Sequence, residues 1–362
     1  GTRLTYEVLI VAMGNRLAWE AVDGLEAALG QFGVTSNYRY DLAPYTWELV
    51  RATRGGRALF TQPPMPIKCA GAPQKAMYLS CSEWRRSGAL GGIEVEFHNA
   101  GTALFGVADY VPALMEAVQG YGIDLRFGSN LVAVDGPARE ATFRTAEGEV
   151  TRRFDMLHAV PPQAANAIVA ASPLADASGY AQVDSATLRH ARYPEIFALG
   201  DGCNTANAKT AAAARKQAPV VAVNALAVLD GEAPLAGYDG YGSCPLTVDR
   251  GHIVLAEFTY GGKLAPSLPT WLIEGKRPSR LAWHLKADAL PAIYWWHAQG
   301  PRMARAAGAA AVVRGACHAG HASSRARHGV GRAGRVYPGP RWRRRFDPCG
   351  PAKGLPRRCA KS

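Results

Sequence analysis

The sequence lacks any hydrophobic run long enough to span a membrane. Its nearest candidates are residues 8–13 and 219–229, the second of which is interrupted by Asn224. A membrane-spanning helix needs about 20 consecutive apolar residues. We therefore expect a chain that does not cross a bilayer.

Cysteines and charged residues are also sparse. Seven cysteines at irregular positions in 362 residues do not form the disulfide framework of a small secreted domain. Only 19% of the residues are charged and 48% are hydrophobic. This composition excludes a chain that is disordered or of low complexity throughout, and it provides enough apolar residues for one large or two ordinary domains.

Acidic residues are nearly absent from residues 301–362. This segment contains 15 lysines and arginines but only one acid, Asp347, so it accounts for the formal net charge of +12. Its glycines, alanines and arginines follow no helical or strand period, and such a segment cannot build a core. We expect a disordered basic tail attached to a slightly acidic folded part, and no nucleic-acid binding.

A glycine loop for phosphate and a cluster of metal ligands are missing from the expected folded part. The one G-x-G-x-x-G pattern, at residues 329–334, lies in the tail, follows no strand and opens no helix. Cys317, His318 and His321 have no second ligand pair at zinc spacing. We expect neither a dinucleotide loop nor a metal centre at these positions.

The sequence does contain alternating apolar strands and helices, with glycines at their junctions. Strands are expected at residues 7–12, 57–61, 93–98, 123–127, 130–135, 140–145, 149–154, 155–160 and 196–199, and helices at 45–53, 73–87, 108–121 and 210–229. Pro219 should kink or interrupt the last helix. This order is typical of a doubly wound α/β fold.

Two cysteines lie in loops at strand-to-helix junctions, where such a fold commonly has its functional residues. Cys69 follows Lys68 and precedes the N-terminus of a helix, and both a neighbouring ammonium and a helix dipole favour the thiolate. Cys203 follows the turn at residues 200–202, at the carboxyl end of a strand, where open α/β sheets bind their ligands. A single cysteine is usually a small buried core residue, but two at strand-to-helix junctions indicate a redox pair.

Residues 271–299 combine tryptophans and other apolar side chains with Lys286 and His297. One interpretation is a helix of the core. The other is an interfacial segment that binds a membrane, because tryptophans favour the depth of the lipid headgroups. The sequence leaves both interpretations open.

Several segments, taken together and in order, carry a family pattern. They are 66–75 (PIKCAGAPQK), 156–162 (MLHAVPP), 193–194 (YP), 199–201 (LGD), 209–213 (KTAAA), 243–246 (SCPL) and 255–258 (LAEF). They closely resemble the sulfide:quinone oxidoreductases, which belong to the flavin-dependent pyridine nucleotide-disulfide oxidoreductase superfamily. The match runs from about residue 4 to residue 300.

The resemblance implies an α/β protein with two Rossmann-like domains of the FAD/NAD-binding, disulfide-reductase type and a C-terminal membrane-facing segment. It implies FAD as the cofactor and Cys69 with Cys203 as the redox pair. The residues implied at the flavin or the quinone are Gly14, Gly200, Asp201, Lys209, Thr210 and Lys286. Hydrogen sulfide would leave a persulfide on Cys203 and a thiolate on Cys69 that adds to the flavin, electrons would pass to membrane quinone, and the sulfur would pass to an acceptor.

The resemblance also implies domain limits: 1–50 for a remnant of the FAD-binding domain, 51–165 for a second Rossmann-like domain with Cys69, 166–245 for a return to the first domain, 246–300 for the quinone- and membrane-facing region, and 301–362 for the tail. The family's N-terminal βαβ unit is not in this sequence, so we expect a chain that begins inside the flavin domain. The tail is expected to be an out-of-frame or unrelated extension. Peripheral association with the bacterial cytoplasmic membrane, or with the mitochondrial inner membrane in a eukaryote, is also expected.

Two alternatives remain open. A type II NADH:quinone dehydrogenase of the same superfamily would need a second glycine-rich loop, but the strand at 57–61 leads into Pro63, Pro64 and Cys69 instead. The other alternative is a non-catalytic fragment, or a protein whose basic tail binds nucleic acid or anionic lipid.

Overall fold

Strands and helices alternate along the chain in the predicted order. The computed structural model describes residues 3–298. Its strands are β1 (Leu9–Val11), β2 (Asn15–Leu17), β3 (Val34–Thr35), β4 (Gly56–Gln62), β5 (Ile93–Asn99), β6 (Asp124–Phe127), β7 (Asn130–Asp135), β8 (Glu140–Thr145), β9 (Gly148–Arg153), β10 (Met156–His158), β11 (Gln163–Ala165), β12 (Ile196–Ala198), β13 (Gly242–Asp249) and β14 (His252–Phe258). Its helices are α1 (Leu25–Ala28), α2 (Ala43–Ala52), α3 (Ala72–Ser87), α4 (Val111–Tyr121), α5 (Ala167–Ala170), α6 (Ala211–Leu229), α7 (Arg280–His284) and α8 (Leu290–Ala298).

A parallel sheet of five strands, in the order β3-β10-β4-β5-β6, forms the largest sheet. Successive side chains along a strand point to opposite faces of the sheet, so its residues pack into two different hydrophobic cores. Phe60 and Phe97 pack with the buried residues of α3 and α4, while Leu59 and Leu157 pack against the antiparallel sheet β7-β8-β9. Apolar layers on both faces of a parallel sheet confirm the predicted α/β fold.

A second parallel pair joins strands that are distant in sequence. β1 pairs with β12, with Leu9 opposite Ile196, and α6 covers the pair through Val220 and Val221. α6 runs from residue 211 to 229 as one helix that contains Pro219, so the predicted interruption is absent. Because buried side chains follow Pro219 directly, tertiary packing outweighs the single backbone hydrogen bond that proline removes.

The hairpin of β13 and β14 is not predicted from the sequence. Leu246 and Cys244 lie on its face towards α3 and belong to the same core as Phe60. On the opposite face, Ile253 and Leu255 pack with Ala282 of α7. The hairpin is therefore enclosed between two helices, which explains why its strands are apolar on both faces and lack a clear alternation.

The C-terminal part of the described chain runs from α7 through a π-helical segment, Leu285–Ala289, into α8. α7 packs on the hairpin, but Leu290, Ile293, Tyr294 and Trp295 of α8 are exposed. Of residues 271–299, Ile273 and Ala282 thus belong to a core cluster, as the core-helix interpretation expects, whereas the start of α8 is exposed. Within residues 3–298, no helix combines the length and apolar character needed to cross a bilayer.

Several predictions lie outside the described residues: the basic tail at 301–362, the glycine pattern at 329–334, and Cys317 with its neighbouring histidines. The domain limits inferred from the sequence also stay predictions.

We expect Trp84→Phe to lower the free energy of unfolding by about 1–3 kcal/mol. Trp84 is fully buried, and its indole N–H donates to the Val50 carbonyl at 2.8 Å, so phenylalanine leaves that oxygen without its donor. Trp47→Phe is the matched control, because Trp47 is 45% exposed and its loss should change stability by less than about 0.5 kcal/mol. Urea unfolding followed by circular dichroism measures both; equal losses would contradict the expectation.

Candidate functional site

Two glycine turns meet where β1 and β12 end. Because these strands are parallel neighbours, their carboxyl ends lie at one edge, where Gly14 and Gly200 have φ values of 66° and 73°. A Cβ atom on Gly202 would lie 3.1 Å from the backbone N and O of Gly14. The two turns therefore form a backbone surface on which side chains are excluded, the kind of surface that a cofactor can approach closely.

Lys209 links this edge to the start of α6. Its ammonium donates to the carbonyls of Asp201 and Cys203 at 3.0 and 2.8 Å and lies 4.4 Å from the centre of the Tyr180 ring. Burial lowers the pKa of Lys209 and raises the pKa of the Asp201 carboxyl, which Lys209 opposes. The lysine charge is therefore held inside the protein by oxygens and an aromatic face.

The predicted start of α6 is confirmed. Thr210 is the residue before the helix, and its hydroxyl accepts a hydrogen bond from the Ala213 amide at 3.1 Å. Near this start, the Gly200 amide donates to the side-chain oxygen of Gln217 at 2.6 Å. The positive end of the helix dipole consequently faces the edge formed by the glycine turns.

The residues present fit one end of a flavin. The side-chain oxygen of Gln163 accepts hydrogen bonds from Asn15 at 2.9 Å and from the Lys68 amide at 2.7 Å. Its buried side-chain nitrogen has no partner among the described residues. An unused donor, a glycine edge and a helix N-terminus together suit a polar, anionic group with an extended face.

Cys69 lies in a strained loop tied to the start of α6. Its φ of 53° is in the left-handed region, which is costly for a residue with a side chain. Its amide donates to the Lys209 carbonyl at 2.7 Å, and its carbonyl accepts from the Ala72 amide at 2.7 Å. The Tyr38 hydroxyl donates to the neighbouring Lys68 carbonyl at 3.1 Å. These bonds hold the strained conformation in place.

The sulfur of Cys69 lies between a thiol and an ammonium. The Lys75 ammonium donates to this sulfur at 3.2 Å, and the Cys244 thiol and the Gly71 amide also act on its pKa. The hydrogen bond from Cys244, followed by Lys75, lowers the pKa of Cys69 to about 5 against the opposing effect of burial. The Cys69 thiolate and burial raise the pKa of Cys244. These opposite shifts favour the thiolate at Cys69 and the protonated thiol at Cys244.

Cys203, the predicted partner of Cys69, makes other contacts in the structure. Cys203 is fully buried, its thiol donates to the Gly200 carbonyl at 3.2 Å, and the Thr205 hydroxyl lies 3.2 Å from its sulfur. The thiol that acts on the pKa of Cys69 is that of Cys244, which packs with the buried residues of α3. A Cβ atom on Gly71 would lie 2.1 Å from a methyl carbon of Leu246, which shows how closely the hairpin approaches the loop after Cys69.

A signal for Cys244 is present in the sequence. It lies within the segment 243–246 that contributes to the family resemblance. Local rules missed it because Cys244 is inside a strand rather than at a strand end. Lys75 was missed for a similar reason: it lies six residues after Cys69, and only the first turns of α3 bring its ammonium back to the sulfur.

Lys286 lies in the π-helical segment Leu285–Ala289 that follows α7. Its ammonium donates to the Thr247 hydroxyl at 2.7 Å. Burial, followed by the charge of Lys75, lowers its pKa to about 8, and the Cys69 thiolate opposes this change. The contact of Lys286 that the structure shows is therefore with β13. Among residues 3–298 there is no group of three or more metal-ligating side chains.

Curated proteins of known function are similar to this chain. The mitochondrial sulfide:quinone oxidoreductase of Dictyostelium discoideum is 38% identical over 82% of this chain, and those of Mus musculus and Schizosaccharomyces pombe are each 35% identical over 82%. The matched parts cover 65%, 66% and 66% of these relatives, so the chain spans about two thirds of their length. No protein-family model matches it. The resemblance seen in the sequence is confirmed.

Solved structures support the same fold. A chain of the Tetrahymena thermophila mitochondrial ATP synthase has a TM-score of 0.68 at 21% identity, covering 80% of this chain and 72% of that one. The sulfide:quinone oxidoreductase of Aquifex aeolicus has a TM-score of 0.61 at 14% identity, covering 84% and 71%. These similarities confirm an α/β fold with Rossmann-like sheets.

We expect iodoacetamide to alkylate Cys69 with a rate that rises through pH 5 and is constant by pH 7, because the reactive thiolate forms above the pKa of about 5. Lys75→Gln removes the charge that lies 3.2 Å from the sulfur and should move the profile upward by about one pH unit. Mass spectrometry of the modified peptides measures the rates. Cys81 is the internal control, because burial raises its pKa to about 12. A Cys69 rate that still rises above pH 8 would contradict the expectation.

Proposed function

We propose that this chain oxidises sulfide with FAD and passes two electrons to a quinone, because it is homologous to the sulfide:quinone oxidoreductases over 82% of its length. The observation that carries this proposal is the pair of Cys69 and Cys244 beside the start of α6. A thiolate next to a second thiol can form a redox-active disulfide when the pair loses two electrons and the remaining proton. Such a disulfide can be opened by a sulfur nucleophile.

The residues proposed to hold FAD are those at the joined glycine turns and the α6 start. They are Gly14, Gly200, Asp201, Lys209 and Thr210, with Gln163 as the unused donor. When bound, FAD supplies an acceptor for two electrons. The chain provides the helix dipole and the buried Lys209 charge, which favour negative charge at this edge.

The first chemical step is proposed to be attack of hydrosulfide on the Cys244 sulfur of a Cys69–Cys244 disulfide. A new sulfur–sulfur bond forms between hydrosulfide and Cys244, the bond between the two cysteines breaks, and Cys69 leaves with the electron pair as a thiolate. Disulfide exchange favours the leaving thiol of lower pKa, and Cys69 has the lower pKa of the two. Lys75 stabilises the departing thiolate.

The persulfide on Cys244 then gives its outer sulfur to a nucleophilic acceptor. Two cysteine sulfurs remain in the reduced form, and their return to the disulfide releases two electrons. A quinone that takes up this pair together with two protons completes the cycle.

We expect Cys69→Ser or Cys244→Ser to abolish sulfide-dependent reduction of a soluble quinone by the chain supplied with FAD. Either change removes one sulfur of the proposed disulfide. Cys81→Ser is the matched control and should retain activity, because Cys81 is fully buried within α3 and takes no part in the proposed step. Cys203→Ser should also retain activity.

A second readout does not depend on FAD. The oxidised chain treated with sulfide should carry the added sulfur on Cys244, as located by mass spectrometry. A persulfide on Cys203, or full activity of Cys244→Ser, would reject the proposed pair.

We also propose that α8 docks on a membrane surface, as expected for a chain whose electron acceptor dissolves in lipid. Its exposed apolar side chains include Tyr294 at 59% and Trp295 at 60% exposure. Aromatic side chains of this kind favour the interface between headgroups and acyl chains. The basic tail would contribute only screened charge.

We expect Trp295→Gln to weaken binding to liposomes about ten- to hundred-fold at high salt, because removing one aromatic side chain from an apolar surface costs roughly 1.5–3 kcal/mol. Phe127→Gln is the matched control, since Phe127 is an aromatic side chain that is 43% exposed at the end of β6. Liposome flotation measures both. Binding of the unmodified chain that disappears at high salt would assign membrane association to charge instead.

A further inference from the structure

A cavity of about 360 Å³ lies between α2, α3 and α7. Its size is at the lower end of the range that small-molecule sites occupy. The side chains that form its apolar walls are Trp47 and Val50 of α2, Ala76 and Leu79 of α3, and Trp283 of α7. No residue of the proposed cysteine chemistry or of the proposed FAD site lines it. The cavity is therefore a separate, mainly apolar site.

The hydroxyl groups of the cavity are already used inside the protein. Thr46 donates to the Leu42 carbonyl at 3.1 Å, and Ser80 donates to the Ala76 carbonyl at 2.8 Å. Both side chains are buried. A hydroxyl group has one proton to donate, so neither offers a donor to a ligand. The floor of the cavity consequently favours an apolar group, which gains by leaving water.

The walls of the cavity are fixed by the core of the protein. The Trp84 indole N–H donates to the Val50 carbonyl at 2.8 Å and ties α3 to α2. On the same two helices, Trp47 and Leu79 remain 45% and 39% exposed. Large apolar side chains that stay exposed around a concave surface commonly mark a binding groove. The groove is thus formed before any ligand enters, which lowers the entropic cost of binding.

One positive charge at the groove has no acidic partner. Of the three charged side chains that line the cavity, Glu83 accepts two hydrogen bonds from the Arg86 guanidinium, at 2.9 and 2.5 Å. The third is Arg250, which forms no ion pair with any acid of residues 3–298. Its backbone amide donates to the Ser82 hydroxyl at 3.2 Å, so the turn that carries it is held against α3. A carboxylate is the group that suits this guanidinium, because the two planar groups can form paired hydrogen bonds.

We infer that this groove binds a fatty carboxylate, with its alkyl chain against Trp47, Leu79 and Trp283 and its carboxylate at Arg250. A methylene group is about as large as a water molecule, which takes roughly 30 Å³ of liquid volume, so the cavity holds about twelve such groups. This is one chain of a fatty acid rather than the two chains of a phospholipid. The inference does not depend on the proposed function and is tested without FAD, sulfide or quinone.

Isothermal titration of the chain with dodecanoate, below its micelle concentration, tests the site. We expect saturable binding at a single site. Leu79→Trp should weaken this binding about ten-fold or more, because the larger side chain fills the groove. Leu226→Trp is the matched control, since Leu226 is an exposed leucine of α6 that does not line the cavity. Circular dichroism verifies the fold of every variant, and Leu79→Glu replaces Leu79→Trp if tryptophan disturbs it, because the added carboxylate repels the ligand.

Dodecanol has the same alkyl chain without the charge, so it separates the two parts of the site. Arg250→Gln should weaken dodecanoate binding about two- to five-fold and leave dodecanol binding unchanged. Arg144→Gln is the matched control for the charge. Arg144 is an exposed arginine of β8, paired with Glu149, and its loss should affect the binding of neither compound.

Three results would overturn the inference. The first is the absence of saturable dodecanoate binding to the unmodified chain. The second is an equal effect of Leu79→Trp and Leu226→Trp, which would show that dodecanoate binds outside the groove. The third is equal binding of dodecanoate and dodecanol with no effect of Arg250→Gln, which would assign the groove to a neutral chain and reject the carboxylate.

Discussion

The site depends on one hydrogen bond, from the Cys69 amide to the Lys209 carbonyl at 2.7 Å. It joins the loop before α3 to the loop before α6, which arrive from different sheets. Because both loops open helices, the bond brings two positive helix ends into one region. It also holds Cys69 at a positive φ, a conformation that a loop without such a partner would not keep. The glycine edge and the thiolate become neighbours through this contact.

The electrostatics of the region result from burial opposed by specific partners. Burial alone would protonate Cys69, and the donors around its sulfur reverse that effect. Burial alone would destabilise the charged form of Lys209, but two carbonyls and an aromatic ring stabilise its charge. The same opposition makes the pKa values of the two cysteines differ. The pKa of Cys69 falls, whereas the pKa of Cys244 rises. An unequal pair of this kind directs an incoming nucleophile to one sulfur rather than the other.

Prediction from sequence succeeded where the signal was local. Cys69 before a helix N-terminus, Thr210 at the start of α6 and the apolar strands of the parallel sheet all depend on neighbours within a few residues. The features left open share one cause. Cys203 satisfied the same local rule as Cys69, namely a loop at a strand end, and nothing within that segment shows that its thiol points to the Gly200 carbonyl. For residues 271–299, hydrophobic content alone does not show which part packs on the hairpin, as Ala282 does, and which part stays exposed.

The sequence by itself determined the alternation of strands and helices, the family resemblance and the position of Cys69 before a helix N-terminus, because each depends on short-range patterns of apolar, glycine and charged residues. Only the tertiary structure decided which thiol acts on the pKa of Cys69, which lysine contacts its sulfur and which aromatic side chains stay exposed. These depend on how the β13–β14 hairpin packs between α3 and α7. Such a contact joins residues far apart in the chain, and its energy comes from buried surface and close approach, which no local pattern records.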